Sequence, residues 1–185
     1  MPRSAESQAL HKLVTLAIFA AMAVVLGLVE AMIPFAAAMP GAKLGLGNIV
    51  VLACLVRFGG KDTLWLIALK ILLTAFILGS FSTLLFSAFG AAASFLVMRA
   101  LLRAGRGAFS LPGVSVAGGA AHNLGQLGAA ALVLGTTKIF YYLPFLLVSG
   151  VVTGVFVGLA AGQLLAALRR TGLMDAAPLD GQPSG

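Results

Sequence analysis

Residues 117–128 read AGGAAHNLGQLG and place His122, Asn123 and Gln126 in the middle of a long apolar run. Whether that run belongs to a soluble core or to a membrane helix decides the fold. Composition answers this. Of 185 residues, 61% are hydrophobic and only 9% are charged, and the mean hydropathy is +1.09. A soluble domain covers its surface with charged residues, and this chain has too few. Apolar stretches of about 18 residues or more recur along it, the length that crosses ~30 Å of hydrocarbon as helix. The expectation is an all-α integral membrane protein, a bundle of six transmembrane helices.

The crossings are expected near residues 13–33, 45–58, 63–79, 84–102, 114–134 and 141–168. They form one membrane domain, residues 11–170, between a cytoplasmic N-terminal segment (1–10) and a polar, Pro/Gly-rich tail (171–185) that reads as flexible. Pro34, Pro40 and Gly41 break the chain after the first crossing, leaving an apolar loop able to lean over the outer face. Ala21–Ala23 matches a signal-peptidase site, but the apolar run continues to Val29. A retained first helix is therefore the reading, with cleavage as its alternative. The single Cys54 excludes an intramolecular disulfide and reads as a small apolar packing residue.

The net charge of +7 is a topology signal. Six crossings put both termini on one side. That side receives Arg3, Lys12, Arg57, Lys61, Arg99, Arg103, Arg106, Arg169 and Arg170, nine of the twelve Lys and Arg residues. Lys43 and Lys138 fall on the other side, and Lys70 falls inside the third crossing. Such a bias puts both termini in the cytoplasm and the chain in the cytoplasmic membrane. Anionic headgroups are then the neighbours of the basic loops, and nothing further points to nucleic acid.

Small residues mark two helix faces. Gly150, Gly154, Gly158 and Gly162 recur every fourth residue in the sixth crossing, and Ala17 and Ala21 do so in the first. Such stripes let helices approach closely, either within the bundle or at a partner interface.

The polar residues need a different account. On a helical wheel His122, Asn123 and Gln126 fall within about 100° of one another. Gly118, Gly119, Gly125, Ala129 and Ala130 lie on the same side of the helix, within that arc or beside it. Polar groups in hydrocarbon are costly unless satisfied, so this face looks into the bundle. It either fixes helix packing by hydrogen bonds or lines a ligand pocket. Lys70 lies too deep to snorkel easily and needs a carboxylate, a carbonyl or a ligand's negative charge, with Glu30 the only acidic residue inside a crossing. Near the outer end lie Lys43, Asn48, Lys138, Tyr141 and Tyr142. The tyrosines suit an aromatic belt or a pocket rim. Counting Lys43, Lys70 and Lys138 against Glu30 gives a positive surplus there, which suits an anionic ligand.

Several chemistries are missing. The sequence holds no Walker-type glycine loop, no aspartate-rich magnesium motif and no His/Cys cluster of metal spacing. Nor does it offer a nucleophile–base–acid set. It reads as a non-enzyme without cofactor or metal site.

Three stretches carry a family resemblance: KLGLGNIVVLACLVRFGGKDTLWL (43–66), GVSVAGGAAHNLGQL (113–127) and YYLPFLLVSGVVTGVFVGLAAG (141–162). They resemble the heptaprenyl diphosphate synthase component I family, also called the Gx transporter family. That family in turn resembles the substrate-binding S components of energy-coupling-factor transporters. The resemblance implies a six-helix subunit whose outer-side pocket is capped by the loop between helices one and two. It also implies a transmembrane coupling subunit and two ATPases as partners. Lys43, Asn48, Lys70, His122, Asn123, Gln126 and Tyr141 are then the substrate-binding candidates. Ala17, Ala21, Gly150, Gly154 and Gly158 are the interface candidates. The substrate expected is a small, vitamin-like or isoprenoid-phosphate-like anion. A membrane component of polyprenyl diphosphate or quinone synthesis, and a non-transporting scaffold, are the alternatives.

Overall fold

The computed structural model describes residues 5–33, 44–78, 81–105 and 107–170. Among these the chain is helical, without strands. The helices are α1 (Ala5–Met32), α2 (Leu46–Phe58), α3 (Gly60–Leu78), α4 (Phe81–Ala104), α5 (Leu111–Leu134) and α6 (Leu143–Arg170). A 3₁₀ turn, Thr137–Tyr142, leads into α6. Each expected crossing corresponds to one helix. The largest difference at an end is in α1, which already begins at Ala5 and so absorbs part of the expected N-terminal segment. Glu6 in its first turn complements the helix dipole there. The expected capping loop, residues 34–44, lies outside the described residues except for Leu44, and so does the tail, 171–185.

Local chemistry fixes several ends. Ser110 caps α5 by accepting a hydrogen bond from the Gly113 amide, and Pro112 sits in the first turn, where its missing N–H costs nothing. Gly135, in the left-handed region, ends the same helix. At the other side of the bundle Lys12 of α1 pairs with Asp62 in the first turn of α3 at 2.9 Å. Both are partly exposed, so the pair contributes no more than about 1 kcal/mol.

The helices close into a ring. α4, α5 and α6 pack side by side, α6 rests on α2, α2 contacts α3, and α3 returns to α4; α1 lies outside against α2 and α3. The α5–α6 seam uses the glycine stripe. A side chain at Gly154 would meet Val116 Cα at 2.8 Å, and one at Gly150 would meet the Asn123 amide nitrogen at 2.9 Å. Gly150, Gly154 and Gly158 are buried. Of the two uses expected for the stripe, these three glycines serve packing within the bundle: their lack of side chains is what lets α5 sit against α6. Ala17 and Ala21 instead lie on the exposed face of α1.

The bundle differs along its axis. The apolar core gathers Phe19 and Ala23 of α1, Val50–Leu55 of α2, Leu66 of α3, Phe95 and Met98 of α4, Val114 of α5 and Leu165 of α6. These come from the C-terminal halves of α4 and α6 and the N-terminal halves of α3 and α5. One end of the bundle is thus packed tight, leaving the other end for the polar residues.

Three stretches, Ala9–Met32, Leu84–Ala104 and Thr137–Arg170, are each long and apolar enough to cross a membrane. The exposed surface agrees: Trp65, Phe76 and Leu132 are each more than three-quarters exposed, a pattern suited to lipid rather than water. By length and composition this is a membrane protein. The six expected spans are not equivalent, however. α3 contains Lys61, Asp62 and Lys70, and α5 carries the polar trio. α2, with 13 residues, is only about 20 Å long. Seven of its residues are buried and only Val56 is exposed, and a short helix is tolerated at membrane depth where other helices surround it.

Candidate functional site

At the end opposite the apolar core, all six helices border one cavity of about 360 Å³. It collects most of the polar residues singled out in the sequence: Asn48 from α2, Lys70 from α3, and His122, Asn123 and Gln126 from α5. Glu30 of α1 also lines it.

The entry of the chain into α2 shapes one wall. Gly45 has φ of 78°, a left-handed conformation that side chains other than glycine rarely adopt. This turns the amides of Gly45 and Leu46 toward α1, where Glu30 accepts them at 2.8 and 3.0 Å, one on each carboxylate oxygen. Glu30 therefore serves α2 as a cap supplied by another helix. One turn on, Asn48 Oδ1 accepts from Lys70 Nζ at 2.9 Å. The lysine reaches this point because Gly47 has no side chain: a Cβ there would stand 2.8 Å from its Cε and Nζ. Of the two glycines in KLGLGN, Gly45 thus sets the turn and Gly47 makes room for Lys70.

The opposite wall is α5. Asn123 Nδ2 donates to the Leu146 carbonyl of α6 at 2.7 Å. This is the packing bond that the sequence allowed for, and Gly150 leaves the space for it. His122 lies over Gly90 of α4, where a Cβ would come within 2.9 Å of its ring. So one member of the trio locks α5 to α6, one rests on α4, and all three border the cavity. Truncating Asn123 to alanine removes a bond to a backbone carbonyl. The expected cost is about 1–2 kcal/mol, read as a lower midpoint in detergent unfolding. Gly150→Ala should reproduce part of that loss by displacing the amide.

Not every candidate is in place. Tyr141 sits in the 3₁₀ turn with 82% of its surface exposed and does not line the cavity. That turn leaves Tyr141 on the surface of the bundle, apart from the cavity. Lys138 is exposed on the same turn, away from the lining. Lys43 lies outside the described residues. Hydroxyls missed in the sequence complete the wall: Thr74, Ser87, Ser94, Ser115, Ser149 and Thr153. Thr153 donates to the Ser149 carbonyl at 3.0 Å, whereas Thr74 Oγ1 is buried without a hydrogen bond among the described residues.

A largely apolar bundle with one polar-lined cavity can hold a small solute and orient it by hydrogen bonds. No group of His, Cys, Asp and Glu suited to a metal occurs among the described residues. Compared with known proteins, residues 19–164 match the family model described as heptaprenyl diphosphate synthase component I. The match contains every residue bordering the cavity, from Gly27 to Val157. No curated protein and no solved structure matches the chain. With nearly the whole bundle matched, the chain belongs to the heptaprenyl diphosphate synthase component I family.

Proposed function

We propose that this chain is the substrate-binding membrane subunit of a small-molecule uptake transporter, energised by separate ATPase subunits. The observation that carries the reading is the convergence of Asn48, Lys70, His122 and Gln126 on one cavity inside an apolar bundle. Packing alone does not require a cavity of this size, and polar groups facing empty hydrocarbon would be costly. The tight core at the other end supports a site that opens to one side of the membrane only. By resemblance to S components, the exposed Ala17–Ala21 face of α1 is the docking surface for a coupling subunit. The family description supports one other reading, a membrane component of polyprenyl diphosphate synthesis. Turnover of a prenyl diphosphate by the purified chain would establish that reading.

The binding reading is tested by native mass spectrometry of protein gently purified from its host. A retained small molecule is expected in the wild type and absent from His122→Ala/Gln126→Ala, with unfolding free energy changed by only about 1 kcal/mol. Equal occupancy of both proteins would remove these residues from any binding role. Co-purification of a coupling subunit and ATPases would support transport over synthesis.

Topology belongs to the same proposal: six crossings, both termini in the cytoplasm, and the cavity in the outer half of the bundle. In a Cys54→Ala background, a membrane-impermeant maleimide added to intact cells should label Thr137→Cys and leave Ala108→Cys unlabelled until the cells are broken. Both positions are exposed. The reverse pattern would invert the orientation and, with it, the direction of uptake.

A further inference from the structure

On the reading that this cavity binds a substrate, its wall also limits the substrate's charge and size. Among the described residues the lining carries one basic group, Lys70, and one acidic group, Glu30. Lys138, which contributed to the positive surplus expected from sequence, is not part of it. The remaining polar groups are neutral amides and hydroxyls, together with the His122 imidazole. Thr74 Oγ1, without a hydrogen bond among the described residues, adds a further polar group one turn beyond Lys70. The described wall is therefore close to electroneutral, rich in neutral hydrogen-bonding groups, and has its two opposite charges within one chamber.

Volume sets the second limit. A cavity of about 360 Å³ holds the liquid volume of about a dozen waters, which suits a solute of roughly 12 to 20 non-hydrogen atoms. A heptaprenyl chain alone has about 35 carbons, well beyond that volume. Its diphosphate would bring two or three negative charges against a single lysine that Glu30 already offsets within the lining. Charges taken from water without compensation are strongly disfavoured. Magnesium carried by the phosphates would supply part of the compensation, but the described lining offers it one carboxylate, Glu30, whose two oxygens already accept backbone amides.

We propose that the occupant is a compact polar solute of zero net charge, neutral or zwitterionic, rather than a prenyl diphosphate or another multiply charged anion. A zwitterion places its anionic group toward Lys70 and its cationic group toward Glu30. A neutral solute uses the amides and hydroxyls. In both cases the described wall keeps its one basic and one acidic group in balance.

The test uses the full-length protein in phosphatidylcholine nanodiscs. It is screened by thermal shift against metabolites of fewer than about 20 non-hydrogen atoms, grouped as neutral or zwitterionic, monoanionic, and phosphorylated. Inorganic pyrophosphate, geranyl diphosphate and heptaprenyl diphosphate are included as probes. The screen is repeated on Thr153→Phe and, independently, Ser149→Phe, each of which fills the cavity. Stabilisation by about 5–10 °C at a hundredfold excess over Kd is expected only in the neutral or zwitterionic group. It should be lost in whichever filling variant folds. Hits confined to anions, or a diphosphate hit lost on filling the cavity, would overturn the charge inference and leave the binding reading standing. A hit that survives filling places its ligand elsewhere and overturns the inference too. No hit in any group would overturn the binding reading itself, and this inference with it.

Discussion

Gly154→Leu is expected to destabilise the bundle by about 3 kcal/mol or more, the upper range for overpacking. Even the first carbon of the new side chain would stand 2.8 Å from the Cα of Val116 and 3.1 Å from its amide nitrogen. Backbone cannot swing aside as a side-chain tip can, so α5 and α6 must separate. The cavity is built across this seam, with Asn123 bonded to Leu146 a short distance along it. Separation therefore removes the hydrogen bond and opens the site as well. The control is Gly128→Ala, at a helical glycine whose added carbon meets nothing within 4 Å. It should raise stability by about 0.5–1 kcal/mol through helix propensity alone. Unfolding in graded SDS, followed by far-UV circular dichroism, separates the two. A Gly154→Leu midpoint equal to wild type would mean that the α5–α6 approach is not what holds the bundle.

The sequence made the helices legible because hydropathy reports burial in lipid directly. It made the polar trio legible for the complementary reason: His, Asn and Gln are conspicuous against Leu and Ala. Serines and threonines are not conspicuous. A hydroxyl in a helix can satisfy itself on a carbonyl of the preceding turn, as Thr153 does on Ser149. Its presence in a membrane helix therefore carries no signal, and the hydroxyl part of the cavity wall was missed. The role of Glu30 was hidden for another reason. A carboxylate inside a crossing invites the search for a lysine, yet both of its oxygens are taken by backbone amides that the left-handed turn at Gly45 directs toward it. No residue pattern announces a cap supplied by a different helix. The glycine stripe shows the limit of periodicity: a four-residue repeat predicts close approach, but not whether the approaching helix belongs to the same chain. Here Val116 and Asn123 identify it as α5.

The cap by Glu30 leads to the second large effect. Glu30→Ala leaves the Gly45 and Leu46 amides without acceptors where surrounding helices limit access of water. A hydrogen bond to a carboxylate contributes roughly 1.5–3 kcal/mol, and stranding buried donors forfeits that and more. Partial access to the cavity offsets some of the loss, so the expected net cost is about 2–4 kcal/mol. Glu30→Gln retains one acceptor oxygen but turns an NH₂ group toward the second amide, so it should lose at least half as much. Amide hydrogen exchange in nanodiscs locates the effect: Leu46 and Asn48 should exchange faster in both variants, while α5 amides such as Leu127 keep their protection. Uniform loss of protection would instead make Glu30 a global packing residue. The alanine variant also removes the one acidic group from the described lining and leaves Lys70 in place. Its cavity should then favour anions over the neutral or zwitterionic solutes preferred by wild type. A stability loss without that change of preference would show that the amides of α2, and not the cavity, are where the charge of Glu30 acts.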